Sequence, residues 1–421
     1  MSERKDLGAD LSVEARRNLV LLFATRSLRM FAYGLVSVVL LLYLDGLGFG
    51  MASVGLLLSL TLLGDTLLSL LITTQADRIG RRRMLMAGAL LMLAAGFPLA
   101  LSTSFPVILF ALTVGVLSPT GNEVGPFLAL EQAALSELLA EEARTATFAW
   151  YNLAGSLATA LGALAGGWSS QALQGAGLPP VASYRAIVVA YCGLGLVLAL
   201  LFWATGSAIE PPRDRRPSGK LGLGSSRGIV ARLAALFSLD AFGGGFVVQS
   251  AMAYWFHLRF GVGPGLIGSV FFAVNLLAGF SALLAARIAR RFGLVNTMVF
   301  THLPSNLLLI LVPFMPSFPL ALTFLLARFA ISQMDVPTRQ SYTMAVVRPE
   351  ERSAAAGITG IARTTGAAIS PSLAGPLLAN PATAGLVFVI AGSVKVCYDL
   401  ILYRAFRRTE ATESHSPRNP R

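Results

Sequence analysis

The chain has 421 residues, of which 55% are hydrophobic and only 13% are charged, and its formal net charge is +12. So little charge over so long a chain excludes an ordinary soluble globular protein and is typical of a membrane protein. The positive charges lie mainly in short segments between apolar runs, which argues against a nucleic-acid-binding surface.

Twelve apolar runs are long enough to cross a membrane, because a spanning helix needs about 20 residues. An even number of spans places both ends of the chain on one side. Lys and Arg are concentrated in every second loop and in the tails, and the positive-inside rule assigns these segments to the cytoplasm. We number the runs spans 1 to 12, and they cover residues 18–44, 51–74, 84–103, 106–137, 145–168, 184–206, 228–257, 265–286, 294–314, 318–346, 354–378 and 384–404.

The loop between spans 2 and 3 contains the run Asp77–Arg82, with the sequence D-R-I-G-R-R. This run resembles the pattern G-x-x-x-D-R/K-x-G-R-R/K of the major facilitator superfamily, with Thr73 in place of the first glycine. A weaker copy, Arg290–Gly293, lies between spans 8 and 9. The resemblance implies a conformational gate formed by Asp77, Arg78, Gly80, Arg81, Arg290 and Arg291.

The two halves of the chain repeat one another. Ser27–Gly34 in span 1 aligns with Ser238–Gly245 in span 7 at an offset of about 210 residues, and anchors in later spans keep nearly the same offset. We therefore predict an all-α membrane protein with twelve transmembrane helices in two pseudo-symmetric six-helix bundles, the fold that the resemblance implies. The predicted parts are a cytoplasmic tail at 1–17, bundles at 18–209 and 228–406, a cytoplasmic linker at 210–227, and a disordered cytoplasmic tail at 407–421.

Several ionisable or polar side chains lie deep within the spans, where an ionised group costs roughly 3 kcal/mol or more unless it faces protein or water. Five acids and five bases, with Arg328 of span 10 among the bases, are balanced among them, so they favour neither a cationic nor an anionic substrate. Lys395 and Asp399 in span 12 are spaced either to pair on one face or to reach the interface separately. The predicted substrate and proton pathway comprises Arg26, Arg29, Asp65, Asn122, Glu123, Glu131, Asp240, Gln249, Asp335, Arg339 and Arg363.

Two ion pairs follow from the repeat. Arg29 aligns with Asp240, and Glu131 aligns with Arg339, so both positions reverse their charge between the halves. In the family's architecture span 1 meets span 4 and span 7 meets span 10. We predict the pairs Arg29–Glu131 and Asp240–Arg339, with Arg26 able to substitute for Arg29. The alternative is that each charge faces water alone.

Span 4 contains two prolines and two glycines between Pro119 and Pro126, which predicts a bent or unwound segment near mid-membrane. One interpretation places Asn122 and Glu123 at a binding cavity, and the other is a packing kink. No basic residue lies within one turn of Glu123. We therefore predict that Glu123 is protonatable and coupled to transport.

The function is predicted mainly from the resemblance, because no catalytic, metal-binding or phosphate-binding motif is present and we expect neither an enzyme nor a cofactor. Gly162–Gly167 in span 5 resembles the end of the family's antiporter motif, although close helix packing also explains it. We predict a monomeric secondary transporter in the plasma (inner) membrane, with both termini cytoplasmic, that exports a small organic molecule in exchange for protons. Uptake by proton symport or facilitated diffusion, and a transporter-like membrane sensor, are the alternatives.

Overall fold

The fold is described from a computed structural model, over residues 13–139, 141–206, 209–210, 226–348 and 351–413. Within these ranges the side chains of residues 77, 141–143, 145–146, 286, 353 and 407–413 are outside the description. Most of the predicted N-terminal tail, linker and C-terminal tail also lies outside it. All the regular secondary structure in the described ranges is helical.

Eight α-helices account for spans 1 to 6, and spans 1 and 4 are each divided into two helices. They are α1 (Val13–Ser37), α2 (Leu40–Gly46), α3 (Met51–Ile79), α4 (Arg81–Leu101), α5 (Phe105–Val114), α6 (Phe127–Leu138), α7 (Glu141–Gly175) and α8 (Pro180–Trp203).

Eight further α-helices account for spans 7 to 12, and spans 7 and 10 are divided in the same way. They are α9 (Arg227–Gly245), α10 (Gln249–Phe260), α11 (Pro264–Phe292), α12 (Leu294–Leu311), α13 (Phe318–Ser332), α14 (Asp335–Ala345), α15 (Arg352–Leu378) and α16 (Leu386–Glu413). A short 3-10 turn, Val312–Phe314, extends α12.

All twelve predicted spans are present as helices or helix pairs. In the described part of the chain, nine of them are long and apolar enough to cross a membrane by length and composition alone. The other three are spans 4, 5 and 11. In span 4 the apolar helix α5 is short, and in spans 5 and 11 the helices α7 and α15 contain many Gly, Ala, Ser and Thr residues.

The divided spans occupy equivalent places in the two halves, since spans 1 and 4 correspond to spans 7 and 10. The longest break is in span 4, where residues 115–126 separate α5 from α6. Gly121 and Gly125 have positive φ angles of 69° and 81° there, a conformation that glycine adopts without steric cost. The predicted unwinding of span 4 is confirmed, whereas the sequence did not predict the three shorter breaks.

Small residues let neighbouring helices approach closely in both halves. A Cβ atom on Gly162 of α7 would lie 2.0 Å from the carbonyl oxygen of Phe31 in α1. In the second half, a Cβ atom on Gly366 of α15 would lie 2.3 Å from the carbonyl oxygen of Ser238 in α9. The same crossing of spans 1 and 5 therefore recurs between spans 7 and 11, as small-residue interfaces in membranes permit.

Two compact units divide the described residues. Unit 1 comprises those within Met1–Gly50, Leu60–Ser218 and Val262–Phe272, and unit 2 those within Met51–Ser59, Gly219–Gly261 and Ala273–Arg421. The first residues of α3 belong to unit 2 because Gly55 lies against Gly375 of α15, and the first residues of α11 belong to unit 1 because Gly268 lies against Gly167 of α7. The bundle boundaries stated above remain predictions.

The tight backbone at Gly125 gives a testable prediction. A Cβ atom there would lie 3.0 Å from the Phe127 ring, which is closer than ordinary van der Waals contact. The left-handed backbone conformation itself costs a non-glycine residue roughly 1–2 kcal/mol, and the steric contact adds to that cost. Gly48 has a similar φ of 86° but no atom within 4 Å of such a Cβ. We expect Gly125→Ala to lower the unfolding temperature in detergent more than Gly48→Ala does. Equal decreases of the unfolding temperature in the two variants would contradict a steric clash between a side chain at position 125 and Phe127.

Candidate functional site

The first candidate cluster lies within unit 1 and is centred on a fully buried ion pair. Arg29 of α1 donates two hydrogen bonds to Glu131 of α6, with Nη1–Oε1 and Nη2–Oε2 distances of 2.8 and 2.6 Å. Neither side chain is exposed. Such bidentate, charge-assisted pairs have the geometry that offsets desolvation best. The predicted Arg29–Glu131 pair is confirmed.

Glu123 in the break of span 4 joins the same cluster. Its carboxylate accepts a hydrogen bond from Arg29 Nε at 2.9 Å, and it also pairs with Arg26, one turn earlier in α1. No basic residue lies within one turn of Glu123 along span 4, yet the fold gives it two basic partners. Both guanidinium groups come from another helix, so spacing along span 4 could not reveal them.

Tyr151 of α7 and Thr25 of α1 complete the first cluster, although the sequence did not indicate either. The Tyr151 hydroxyl donates to Glu131, and the Thr25 hydroxyl donates to the same carboxylate at 3.1 Å. The Arg26 guanidinium lies 4.7 Å above the Tyr151 ring. These polar contacts satisfy the remaining lone pairs and hold Arg26 and Glu131 in fixed positions.

Asp65 of α3 is a buried carboxylate in unit 1 that lies outside this ion cluster. Its side chain is 7% exposed, and it accepts a hydrogen bond from the backbone N–H of Gly125 in the span 4 break. Its Oδ1 atom has no hydrogen-bond partner, and no salt bridge involves it in the described part of the chain. Asp65 therefore differs from Glu123 and Glu131, which both have arginine partners.

The second candidate cluster lies within unit 2 and is centred on Asp240 of α9. This carboxylate contacts Lys395 of α16 at 2.6 Å, Arg339 of α14 at 3.1 Å and Arg363 of α15 at 3.4 Å. Arg339 also binds Asp335, one turn earlier in α14, at 2.9 Å. The predicted Asp240–Arg339 pair is confirmed, and Lys395 is an additional partner that the repeat did not indicate.

His302 of α12 extends this second cluster towards Asp399 of α16. Its Nδ1 lies 2.8 Å from Asp399 Oδ1, and its Nε2 lies 3.8 Å from Asp240 Oδ1. Asn306 donates to the other oxygen of Asp399 at 2.9 Å. The interpretation that Lys395 pairs with Asp399 or reaches the interface is wrong, because the buried Lys395 binds Asp240 instead.

The other predicted pathway residues lie apart from the two clusters. Asn122 is exposed and contributes backbone contacts within the span 4 break. Gln249 is the first residue of α10, is buried, and accepts a hydrogen bond from Asn275 of α11 at 3.1 Å. Both remain predicted rather than assigned parts of the pathway.

The predicted gate loops differ in how firmly they are held. Arg81 is buried and donates to Glu137 of α6 at 3.1 Å and to the Ile209 carbonyl at 3.3 Å. Glu210 accepts the backbone N–H groups of the first two residues of α4, at 2.7 and 3.2 Å, and so caps that helix. Gly80 forms the turn with a φ of 109°, whereas Arg78, Arg290 and Arg291 are exposed. The Asp77 side chain lies outside the described residues.

Comparisons with known proteins give one consistent result. The family model described as Major Facilitator Superfamily matches residues 22–371 and 235–421. The uncharacterized membrane protein YJR124C of Saccharomyces cerevisiae is 31% identical over 433 residues, which cover 94% of this chain and 96% of that protein.

Solved structures with the same fold include known transporters. A bacterial homolog of the human lysosomal transporter Spinster has a TM-score of 0.73 and 17% identity, covering 96% of this chain and 99% of its own. A D-xylose-proton symporter has a TM-score of 0.69 and 15% identity, covering 92% and 97%. The predicted twelve-helix fold is confirmed by the family match and these neighbours.

The buried Arg29–Glu131 pair predicts strong coupling between its two members. Removing one partner of a buried pair typically costs ~3–5 kcal/mol because the other charge is left uncompensated. We expect Arg29→Ala and Glu131→Ala each to lower the unfolding temperature in detergent, and the double variant to be less damaging than either. In that double variant Glu123 still has Arg26 as a partner.

A double-mutant cycle on the purified full-length protein measures this coupling. Arg78→Ala removes an exposed arginine and serves as the control for the loss of one positive charge. Strictly additive losses at Arg29 and Glu131 would contradict an energetic pair.

Proposed function

Because the chain belongs to the major facilitator superfamily, a family of membrane transporters, we propose that it exports a small organic solute in exchange for protons. Transport would proceed by alternating access, in which a central site opens to each side of the membrane in turn. The family membership points to a transporter rather than an enzyme or a sensor. The proton gradient would supply the energy.

The observation that carries the proton coupling is the environment of Asp65. The side chain is buried, one oxygen has no hydrogen-bond partner, and in the described part of the chain no cation offsets its desolvation. A carboxyl group in such a place is less costly to bury when it carries a proton. Binding and release of that proton would change its contact with the backbone of Gly125, and hence with the broken segment of span 4.

Glu123 is less suited to this role than the sequence predicts. Two guanidinium groups hold its carboxylate, so protonation would have to break both contacts within a packed cluster. We therefore assign the proton to Asp65 and give the Arg26–Arg29–Glu123–Glu131 cluster the task of holding α1, the span 4 break and α6 together. This assignment departs from the sequence prediction.

The loop around Arg81 would act as the conformational gate. Arg81 joins the start of α4 to the end of α6 and to the segment after α8, and Glu210 holds the same helix start. Contacts of this kind can form in one state of a transporter and break in the other. The proposed gate therefore includes Arg81, which lies in the run that resembles the family pattern.

Uptake by proton symport is the second candidate function. The glycines of α7 do not count against symport, because a Cβ atom on Gly162 or Gly166 would lie 2.0 or 2.2 Å from a carbonyl oxygen of α1. Close packing explains these glycines without an antiporter role. The two functions differ in whether solute and protons move in opposite directions or together across a proteoliposome membrane.

We place the protein as a monomer in the plasma (inner) membrane with both termini in the cytoplasm. The orientation is supported by the concentration of arginine in the loops at 78–83 and 287–291, which the positive-inside rule assigns to the cytoplasmic side.

Replacing Asp65 tests the proton coupling. We expect Asp65→Asn in proteoliposomes to keep solute-for-solute exchange but to lose both stimulation by a pH gradient and solute-dependent proton flux, because an amide cannot exchange the proton. Asp45→Asn removes an exposed carboxyl group and is the control. Full proton coupling in Asp65→Asn, or its loss in Glu123→Gln alone, would contradict the assignment.

Replacing Arg81 tests the gate. Arg81→Gln removes the contacts with Glu137 and the Ile209 carbonyl, and we expect transport to slow by about fivefold or more, the range of typical conformational couplings. Arg83→Gln changes an exposed arginine two residues away and is the matched control. The measurement is the initial transport rate at equal amounts of inserted protein, and equal rates in the two variants would count against the gate.

A further inference from the structure

Unit 2 contains buried charges in addition to the predicted Asp240–Arg339 pair, and they are not all paired. Four cationic side chains meet three carboxylates around Asp240 in the described part of the chain. The cations are Arg328, Arg339, Arg363 and Lys395, and the carboxylates are Asp240, Asp335 and Asp399. Three of these cations and all three carboxylates are buried, whereas Arg363 is partly exposed. The buried charges are therefore equal in number, but they do not all form pairs.

Arg328 of α13 is the cation without a partner. The residue is 7% exposed, its Nε atom has no hydrogen-bond partner, and no salt bridge involves it in the described part of the chain. Its guanidinium lies 4.5 Å from the centre of the adjacent Phe329 ring. A cation–π contact offsets only part of the cost of burying an unpaired charge. The contact with Phe329 therefore does not explain why an arginine occupies this position.

Arg363 of α15 is the cation with spare donors. In the described part of the chain its carboxylate partner is Asp240, at 3.4 Å, and its side chain is 34% exposed. Asp240 already binds Lys395 and Arg339 at shorter distances. A guanidinium has five N–H donors, so most of those on Arg363 remain open to another acceptor.

The two arginines share one electrostatic neighbourhood. Both interact with the charges of Asp240 and Asp335, although they come from different helices. Arg328 lies one turn before the break between α13 and α14. Each carboxylate there already has a cationic or polar partner. Within the described part of the chain, Arg328 is therefore open to an acceptor from another molecule.

We propose that Arg328 and Arg363 form a binding site for the anionic group of the transported solute, a carboxylate, sulfonate or phosphate. The planar guanidinium fork matches the oxygens of these groups and binds them in pairs of hydrogen bonds. The inference rests on the proposed transport of a small organic solute and adds its chemical class. An anionic lipid headgroup offers the same chemistry, so the experiment separates the two sources.

The first measurement needs no solute. Removing a buried, unpaired cation should leave stability unchanged or raise it, whereas removing a paired one should lower it. We expect purified full-length Arg328→Gln to unfold in detergent at or above the wild-type temperature, and Arg339→Gln to unfold below it. A loss in Arg328→Gln as large as that in Arg339→Gln would overturn the claim that Arg328 is unpaired.

The second measurement uses matched probes at millimolar concentration. Benzoate, benzenesulfonate and phenyl phosphate are each compared with the neutral benzamide, in a panel extended by aliphatic carboxylates and their amides. We expect at least one anion to raise the unfolding temperature of the wild type by several degrees while its neutral match does not. The shift should vanish in Arg328→Gln and shrink in Arg363→Gln. Arg232→Gln, which removes an exposed charge from α9, should behave as wild type.

A lipid arm distinguishes the source of the anion. Micelles supplemented with phosphatidylglycerol are compared with those containing phosphatidylcholine. Stabilisation by phosphatidylglycerol that depends on Arg328, with no response to any soluble anion, would overturn the solute site in favour of a lipid site. No response to any anion, or an equal response in Arg328→Gln, would overturn the anion site altogether.

Failure of this site and failure of the proposed function give different results. If neutral or cationic solutes are transported and do not depend on Arg328, the anion site is wrong and the transporter stands. If anions bind through Arg328 but proteoliposomes show no solute-dependent proton flux, the site stands and the proton-coupled function is wrong.

Discussion

The cost of placing charge inside a membrane is the constraint on which this structure depends. An isolated ionised side chain is so unfavourable there that it must find a partner, a wet cavity or a proton. Arg29 and Glu131 meet this demand by burying each other completely. Asp240 meets it by collecting three cationic contacts. These ionic contacts link helices that are far apart in sequence, and they make the packing of each unit specific as well as stable.

Because the two halves repeat one another, each half contains a buried ion pair between corresponding spans. Spans 1 and 4 in the first half, and spans 7 and 10 in the second, are the spans that divide into two helices, and they carry the paired charges. The polarity is reversed, with arginine on α1 and aspartate on α9. One backbone geometry therefore accepts either order of charges, because the attraction between two opposite charges does not depend on which helix carries which. The glycine-mediated crossing of α1 with α7 recurs as that of α9 with α15 for the same geometric reason.

The halves differ in the groups that remain unpaired. Unit 1 retains a buried carboxylate, Asp65, beside a broken helix, and unit 2 retains a buried guanidinium, Arg328, one turn before another break. A carboxylate can neutralise itself by taking up a proton, whereas a guanidinium remains charged and can only be neutralised by an anion. The two residual charges therefore suit two different roles in one transport cycle. In the proposed cycle the proton binds in one unit and the anionic group of the solute binds in the other.

The sequence by itself determined the twelve spans, the internal repeat, the unwinding of span 4 and the two pairs Arg29–Glu131 and Asp240–Arg339. Hydrophobic length, proline and glycine content and aligned charge reversal each follow from local composition or from symmetry. Only the tertiary structure decided that Glu123 has arginine partners, that Lys395 binds Asp240 rather than Asp399, and that His302 lies between two aspartates. The spacing of residues along a helix predicts which side chains share a face. The partner of a side chain across a helix interface depends on the rotation and the crossing angle of both helices. The isolation of Arg328 is of the same kind, since the absence of a partner is a property of all the helices that surround it.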